Sequence, residues 1–359
     1  MPQVDFVQPD FALIGHFETW DRAAAAMSLL RGPERPPVSL DDIRDILPWI
    51  PPRISSRVTV GSSQGHRVHG VYIDSFIPPD RLDPRFLREN LARVREAAQC
   101  AIREGARIVT LGGFSSILLE GKTDLLPSHP ETAFTTGNTL TVALIVRGVE
   151  RAMVLAGRDL SESNILIIGA SGDVGSGCAR CLAPRAKRLL LCARNPDRLS
   201  KLLSEFASLG NRVTADTDLQ RLSQKADVVI CAASLPASDL ILDELPQGSI
   251  ICDAGYPKNL SAHFAPRENP IFYGGLGQAS GGIEPHPDLL GIVYPYPLSN
   301  LTHGCLLEGM VLAMERRFES FSQGRGLITP QRVEEMWQMA QKHGIELPPL
   351  FNGEGPTFS

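Results

Sequence analysis

The stretch Ile165-Leu166-Ile167-Ile168-Gly169-Ala170-Ser171-Gly172-Asp173-Val174-Gly175 decides the fold. Four consecutive apolar residues predict a strand buried on both faces, and the amphipathic run over 174–182 predicts a helix. Between them glycines recur at 169, 172 and 175. The first permits a tight strand-to-helix turn, the second lets a phosphate approach the backbone, and the third lets the helix pack close on the strand. The helix N-terminus adds unpaired N–H groups and the positive end of a dipole. The spacing G-x-x-G-x-x-G differs from the commoner G-x-G-x-x-G, but it has the required flanks. Gly169, Ser171, Gly172, Asp173, Val174 and Gly175 therefore read as a dinucleotide cradle, with a merely structural turn as the alternative.

Outward from this loop, further strands are expected at 189–192, 213–215, 228–232, 250–252 and 271–273, with helices at 196–209 and 219–224. Apolar strands alternating with helices imply an α/β fold with a parallel sheet covered on both faces, in the order 3-2-1-4-5-6. The second strand runs into Arg194 and Asn195, where a site for NAD usually carries an acidic residue for the ribose hydroxyls. A guanidinium there suits a 2′-phosphate, and Arg198 is placed to assist, so NADPH is the expected cofactor. A solvated arginine is the alternative. Tyr256 and Lys258 follow the fifth strand, at the end of the sheet where such folds bind ligands. They are candidates for the nicotinamide side.

A chain of 359 residues is long for one domain. The pattern divides it into an N-terminal α/β substrate domain over 1–163, a Rossmann-type sheet over 164–280, and a C-terminal helical segment over 281–359. With 43% hydrophobic and 21% charged residues the chain reads as globular rather than disordered. A net charge of −5 argues against a general nucleic-acid binder. No apolar run reaches the roughly 18 residues of a membrane span, and the first ten residues lack a leader pattern. The seven cysteines lie mostly in apolar stretches, which suits reduced thiols. A cytoplasmic protein is expected.

Cys178 and Cys181 form C-x-x-C inside the cofactor helix, without a second pair or suitable histidines, so no metal site is expected. Cys192, Cys231 and Cys252 fall within core strands, and Cys100 lies in an amphipathic helix. Cys305 differs. It stands beside Gly304, two residues after His303, where an apolar pattern from Leu306 to Phe321 predicts a helix. A helix N-terminus favours the thiolate, so Cys305 is a candidate nucleophile and His303 a candidate proton shuttle. A half-buried packing cysteine remains the other reading.

Several words of the sequence point to one family. They are Leu13-Ile14-Gly15-His16, the stretch from His69 to Ile73, Leu111-Gly112-Gly113-Phe114-Ser115-Ser116-Ile117, Phe134-Thr135-Thr136-Gly137-Asn138-Thr139, and the stretch from Asp253 to Asn259. Together with Gly169 to Gly175, Ala193-Arg194-Asn195 and the run from Cys305 to Thr329, they cover nearly the whole chain in order. The sequence resembles the aldehyde-forming long-chain acyl-(acyl carrier protein) reductases best known from cyanobacteria. The resemblance implies that Cys305 attacks a fatty acyl thioester and carries the acyl group, with acyl carrier protein as donor and a downstream aldehyde-consuming enzyme as a further partner. The loop holding Ser115 and Ser116 reads either as presenting a hydroxyl to an acyl carbonyl or as a plain turn. The hydroxyls before the next helix read as caps, while the resemblance implies that their loop, which holds Asn138, lines the active site. For His16 and His69 the structural reading is kept. Arg316, Arg317 and Arg325 are candidates for carrier docking. The loops 31–37, 121–132 and 276–290 depart from the family, which bears on the acyl-chain site. Two alternatives stay open: a non-covalent dehydrogenase of shikimate-dehydrogenase-like organisation, and a non-catalytic nucleotide-binding regulator.

Overall fold

A computed structural model describes residues 8–120, 122–233, 244–256, 258, 269–322 and 328–358. It divides into two compact units. The first comprises Met1–Gly137, Gln278–Arg325 and Gln338–Glu346; the second comprises Asn138–Gly277, Gly326–Trp337 and Leu347–Ser359.

The chain opens with β1 (Phe11–Gly15), α1 (Trp20–Arg31), α2 (Leu40–Ile46), β2 (Arg53–Gly61), β3 (Arg67–Asp74), α3 (Leu87–Arg103), β4 (Ile108–Leu111), α4 (Phe114–Leu118) and β5 (Ala133–Thr135). There follow α5 (Asn138–Leu155), β6 (Asn164–Ile168), α6 (Asp173–Leu182), β7 (Arg188–Cys192), α7 (Pro196–Ser204), β8 (Val213–Asp216), α8 (Leu219–Ser223), β9 (Val228–Cys231), β10 (Ile250–Asp253) and β11 (Ile271–Tyr273). Next come β12 (Leu276–Ala279), β13 (Ile283–His286), α9 (Leu290–Val293), β14 (Leu301–His303), α10 (Gly304–Met314), α11 (Pro330–Lys342) and β15 (Ile345–Glu346).

In the second unit six strands stand in the order β11-β10-β9-β6-β7-β8, paired in parallel. Counted from β6, this is the expected 3-2-1-4-5-6. The strands are apolar because helices cover both faces. Leu166, Ile168, Val229 and Ile251 pack with Leu222 of α8 on one side. The helix expected over 196–209 stops at Ser204, Phe206 leaves helical geometry at φ −105° and ψ 17°, and a 3-10 segment, Ala207–Arg212, follows.

The first unit holds a mixed sheet, β13-β2-β3-β1-β4-β5. Its central strand β1 is buried at every position. Val94, Ala97, Ala98 and Ala101 of α3 cover one face, packing with Ala12, Ile14, Val71 and Ile73. Along α10 every residue from Leu306 to Met314 is buried, and the helix packs on β1, β3 and β4. A helix apolar on all sides belongs inside a core.

Three boundaries differ from the sequence reading. The N-terminal stretch of the first unit stops at Gly137, so α5 belongs with the second. Residues 281–359 form no separate helical segment, because β13 pairs antiparallel with β2 and extends the first sheet. Finally, α10 ends at Met314 rather than Phe321. Arg316 takes a left-handed φ of 54°, and the Arg317 N–H closes the helix on the Leu312 carbonyl at 2.9 Å. Among the described residues no helix is long and apolar enough to cross a membrane.

Candidate active site

The cofactor loop lies within the second unit. Gly169 follows β6 with φ 79°, and a Cβ there would meet the Ala232 carbonyl oxygen at 2.7 Å. Gly175 carries the close packing, since its Cβ would stand 2.3 Å from the Gly169 oxygen. Gly172, the N-cap of α6, has nothing nearer than that oxygen at 3.3 Å. Two glycines thus close the turn and the third keeps one side of it open, which fits a diphosphate against the first turn of α6. Asp173, the first residue of that helix, is buried, and its Oδ2 accepts from Asn138 Nδ2 at 3.2 Å.

At the end of β7, Arg194 and Arg198 are exposed, and neither guanidinium makes a hydrogen bond or ion pair among the described residues. Two unengaged cations at this strand end are what a 2′-phosphate requires. Asn195 has a structural duty, its Oδ1 accepting the Arg198 N–H at 3.0 Å to cap α7. Lys258 is likewise engaged: Nζ donates to the Asp253 carbonyl at 2.9 Å and the Gly274 carbonyl at 2.8 Å, tying the ends of β10 and β11. Tyr256 is half-buried nearby in sequence. Asn259 and Arg325 lie outside the described residues.

Cys305 is the second residue of α10 in the first unit, and His303 is that helix's N-cap. Burial pushes the thiol's pKa above its ordinary value, while N–H groups of Gly113 and Leu306 pull it back and Glu308 adds to the rise. This reverses the lowering expected from the helix start, because desolvation outweighs the dipole here. The other thiols are raised as well, Cys181 and Cys192 to about 11 and Cys231 to about 12. Acidity therefore does not single out a nucleophile.

Geometry does. Gly137, with φ 73°, lies so close to Cys305 that a Cβ there would stand 2.2 Å from the Cys305 carbonyl oxygen and 2.3 Å from its Cα. Gly113 reaches the sulfur from the loop before α4. That loop is fixed by His16, whose Nε2 accepts the Phe114 N–H at 3.0 Å. Burial lowers the His16 pKa to about 4, so the ring is neutral and structural, as expected. His69 pairs across the strands with Thr59 at 3.2 Å. Ser115 is fully buried, and its Oγ has no hydrogen-bond partner among the described residues. Ser116 Oγ donates to the Gly113 carbonyl at 2.9 Å.

His303 shares a 2.7 Å hydrogen bond between its Nε2 and the Tyr296 hydroxyl, and its ring meets Tyr294 and Tyr296 edge-on at 5.0 and 5.6 Å. Tyr294 is buried, and Cys305 is among the charges that raise its pKa. The first unit thus gathers Cys305, His303, Gly113, Gly137 and Tyr294. Asn138 stands instead with Asp173 in the second unit. Sequence reasoning named the loop that holds Gly137 but missed the two tyrosines and Glu308. An acid inside the apolar run from Leu306 to Met314 was the one signal available.

The doubly wound sheet and its glycine-lined turn define the class, a Rossmann-type α/β fold. The family model for shikimate/quinate 5-dehydrogenase matches residues 150–268. A long-chain acyl-(acyl-carrier-protein) reductase of Synechococcus elongatus is 30% identical over 346 residues, covering 94% of this chain and 98% of that protein. The chain belongs to that reductase family. The aminotransferase PigE of a Serratia species is 27% identical across 72% of this chain and 30% of its own length. The solved L-tryptophan dehydrogenase of Nostoc punctiforme is 14% identical, covering 94% of this chain and 84% of that one, with a TM-score of 0.37.

Proposed function

We propose that this protein reduces a long-chain fatty acyl thioester, delivered by acyl carrier protein, to a fatty aldehyde at the expense of NADPH. The observation that carries the reading is the setting of Cys305, with the Gly137 backbone against its own and the Gly113 N–H at its sulfur. Family membership and the open cofactor turn support it.

Cys305 Sγ forms a bond to the acyl carbon as the carrier's carbon–sulfur bond breaks. Because burial keeps the thiol protonated, its proton must leave as it attacks. The His303–Tyr296 pair takes that proton and returns it to the departing carrier sulfur. Gly113 N–H stabilises negative charge on Cys305 before attack and after aldehyde release. Ser115 supplies a buried hydroxyl for the acyl oxygen. NADPH, which the turn from Gly169 to Gly175 and Arg194 would hold, would supply a hydride to the acyl carbon. Aldehyde leaves as the carbon–sulfur bond to Cys305 breaks, and the thiolate recovers a proton.

Incubation with acyl-carrier substrate, without cofactor, should add one acyl group to Cys305, seen by peptide mass spectrometry. Adding NADPH should release aldehyde. Cys305→Ser should abolish both while NADPH affinity stays nearly intact. Aldehyde formation without an acyl-enzyme, or substantial turnover by Cys305→Ser, would favour the non-covalent dehydrogenase reading, which the family match over 150–268 also accommodates.

A further inference from the structure

Glu308 is an acid with no exposed surface, one helical turn beyond Cys305 on α10. Thr135 Oγ1 donates to its Oε1 at 2.5 Å, and Ser322 Oγ donates to its Oε2 at 3.0 Å. The donors are tied to each other as well: Ser322 N–H donates to Thr135 Oγ1 at 3.0 Å, and Thr136 N–H to the Ser322 carbonyl at 2.8 Å. A buried carboxylate costs several kcal/mol unless such bonds satisfy it, so this cluster is a costly arrangement to keep for packing alone. Its position gives it another use. Thr135 and Thr136 lead directly into Gly137, the residue whose backbone lies against Cys305.

We infer that Glu308 is a positioning residue for Cys305: its carboxylate clamps the segment 135–137 against the nucleophile's backbone and sets a fixed negative charge one turn from the sulfur. The proposal rests on Cys305 as the nucleophile, but its test does not need turnover.

The other acidic and basic groups around this helix leave that role to Glu308. His16, at the end of β1, is neutral near pH 7. On β3, Tyr72 is raised well above 10 and Asp74 to about 8, and Tyr294, just after α9, is raised as well. Glu18, before α1, is ion-paired with Arg22. On β14, His303 is hydrogen-bonded to Tyr296. Glu308 also contributes to the upward shift of the thiol. A charge held there keeps Cys305 as the less reactive thiol until an acyl carbonyl and a proton acceptor are both in place.

The test is the pH dependence of Cys305 alkylation by iodoacetamide, read on the Cys305 peptide by mass spectrometry. Glu308→Gln keeps the shape and one acceptor but removes the charge, so the midpoint should fall by about one to two pH units. At neutral pH, alkylation should then be about tenfold faster or more. Asp74 titrates in both proteins, so the difference isolates Glu308. Ser322→Ala keeps the charge and removes one of the two hydroxyls that screen it, so its midpoint should rise. A midpoint unmoved in Glu308→Gln, or moved in the same direction by both variants, overturns the proposal. If Glu308→Gln fails to fold, a Ser322→Ala midpoint that does not rise overturns it alone. Failure of the covalent reading would appear separately, as absence of the acyl-enzyme in the unaltered protein.

Discussion

Single residues of the first unit carry opposite pH dependences. Asp74 is fully buried at the end of β3, its Oδ1 accepting the Phe76 N–H at 2.6 Å, and its pKa is raised to about 8. The folded protein holds that proton where the unfolded chain has lost it, so Asp74 stabilises the fold fully below about pH 4 and loses that contribution as pH rises to 8. His16 behaves in reverse, its folded pKa of about 4 lying below the usual 6.5. Its contribution is complete above 6.5 and is lost as pH falls toward 4. Each slope is about 1.4 kcal/mol per pH unit, so the two cancel between roughly pH 4 and 6.5. From 6.5 to 8 Asp74 acts alone, and stability should fall by about 2 kcal/mol. Urea unfolding at the two pH values checks this, and Asp74→Asn should flatten the decline. An equal decline in that variant would assign the loss to other groups. In the second unit, Arg194→Ala should weaken NADPH binding by roughly ten- to a hundredfold and leave NADH nearly unchanged. Equal weakening of both cofactors would make Arg194 structural.

At the scale of elements, the sequence made one half of the chemistry easy to read and concealed the other. The β6–α6 turn is local: apolar strand, three glycines and helix follow one another within a few residues, and each glycine's duty follows from its spacing. Gly175→Ala tests that reading, since the added Cβ would meet the Gly169 oxygen at 2.3 Å. Overpacking of this kind costs about 1–3 kcal/mol, so cofactor affinity should drop while Cys305 alkylation is unchanged. The surroundings of α10 are assembled instead from Gly113, Gly137, Tyr294 and Tyr296, which are distant from Cys305 in sequence or separated from it by a turn. No periodicity reports such contacts. Its end was also hidden. The apolar spacing continues through Phe318 and Phe321, yet the chain turns at Arg316, where no glycine announces a left-handed residue. The reversed thiol shift has the same origin, because burial of Cys305 is a property of the packed core and not of the helix start.

At the scale of the whole molecule, charge bears on the proposed docking of a carrier protein. The chain has 35 basic and 40 acidic residues. An acyl carrier protein is small and acidic, so net charge opposes encounter and a local basic patch must supply the attraction. Of the three arginines proposed from sequence, Arg325 lies outside the described residues. Arg317 is engaged, paired with Glu319 and set over the Phe321 ring at 5.1 Å. Arg316 is exposed, and its side chain makes no hydrogen bond, ion pair or ring contact among the described residues, just past the helix that carries Cys305. Its left-handed backbone offers a variant that separates charge from folding. Arg316→Gly removes the guanidinium and places at this φ the residue that adopts it most readily, so thermal stability should hold or rise. The KM for acyl-carrier substrate should increase about two- to fivefold, as loss of one exposed ion pair implies, and its salt dependence should flatten. Acyl-coenzyme A, presented without the acidic protein, should show an unchanged KM. Carrier kinetics identical to those of the unaltered protein at every salt concentration would place the docking surface elsewhere.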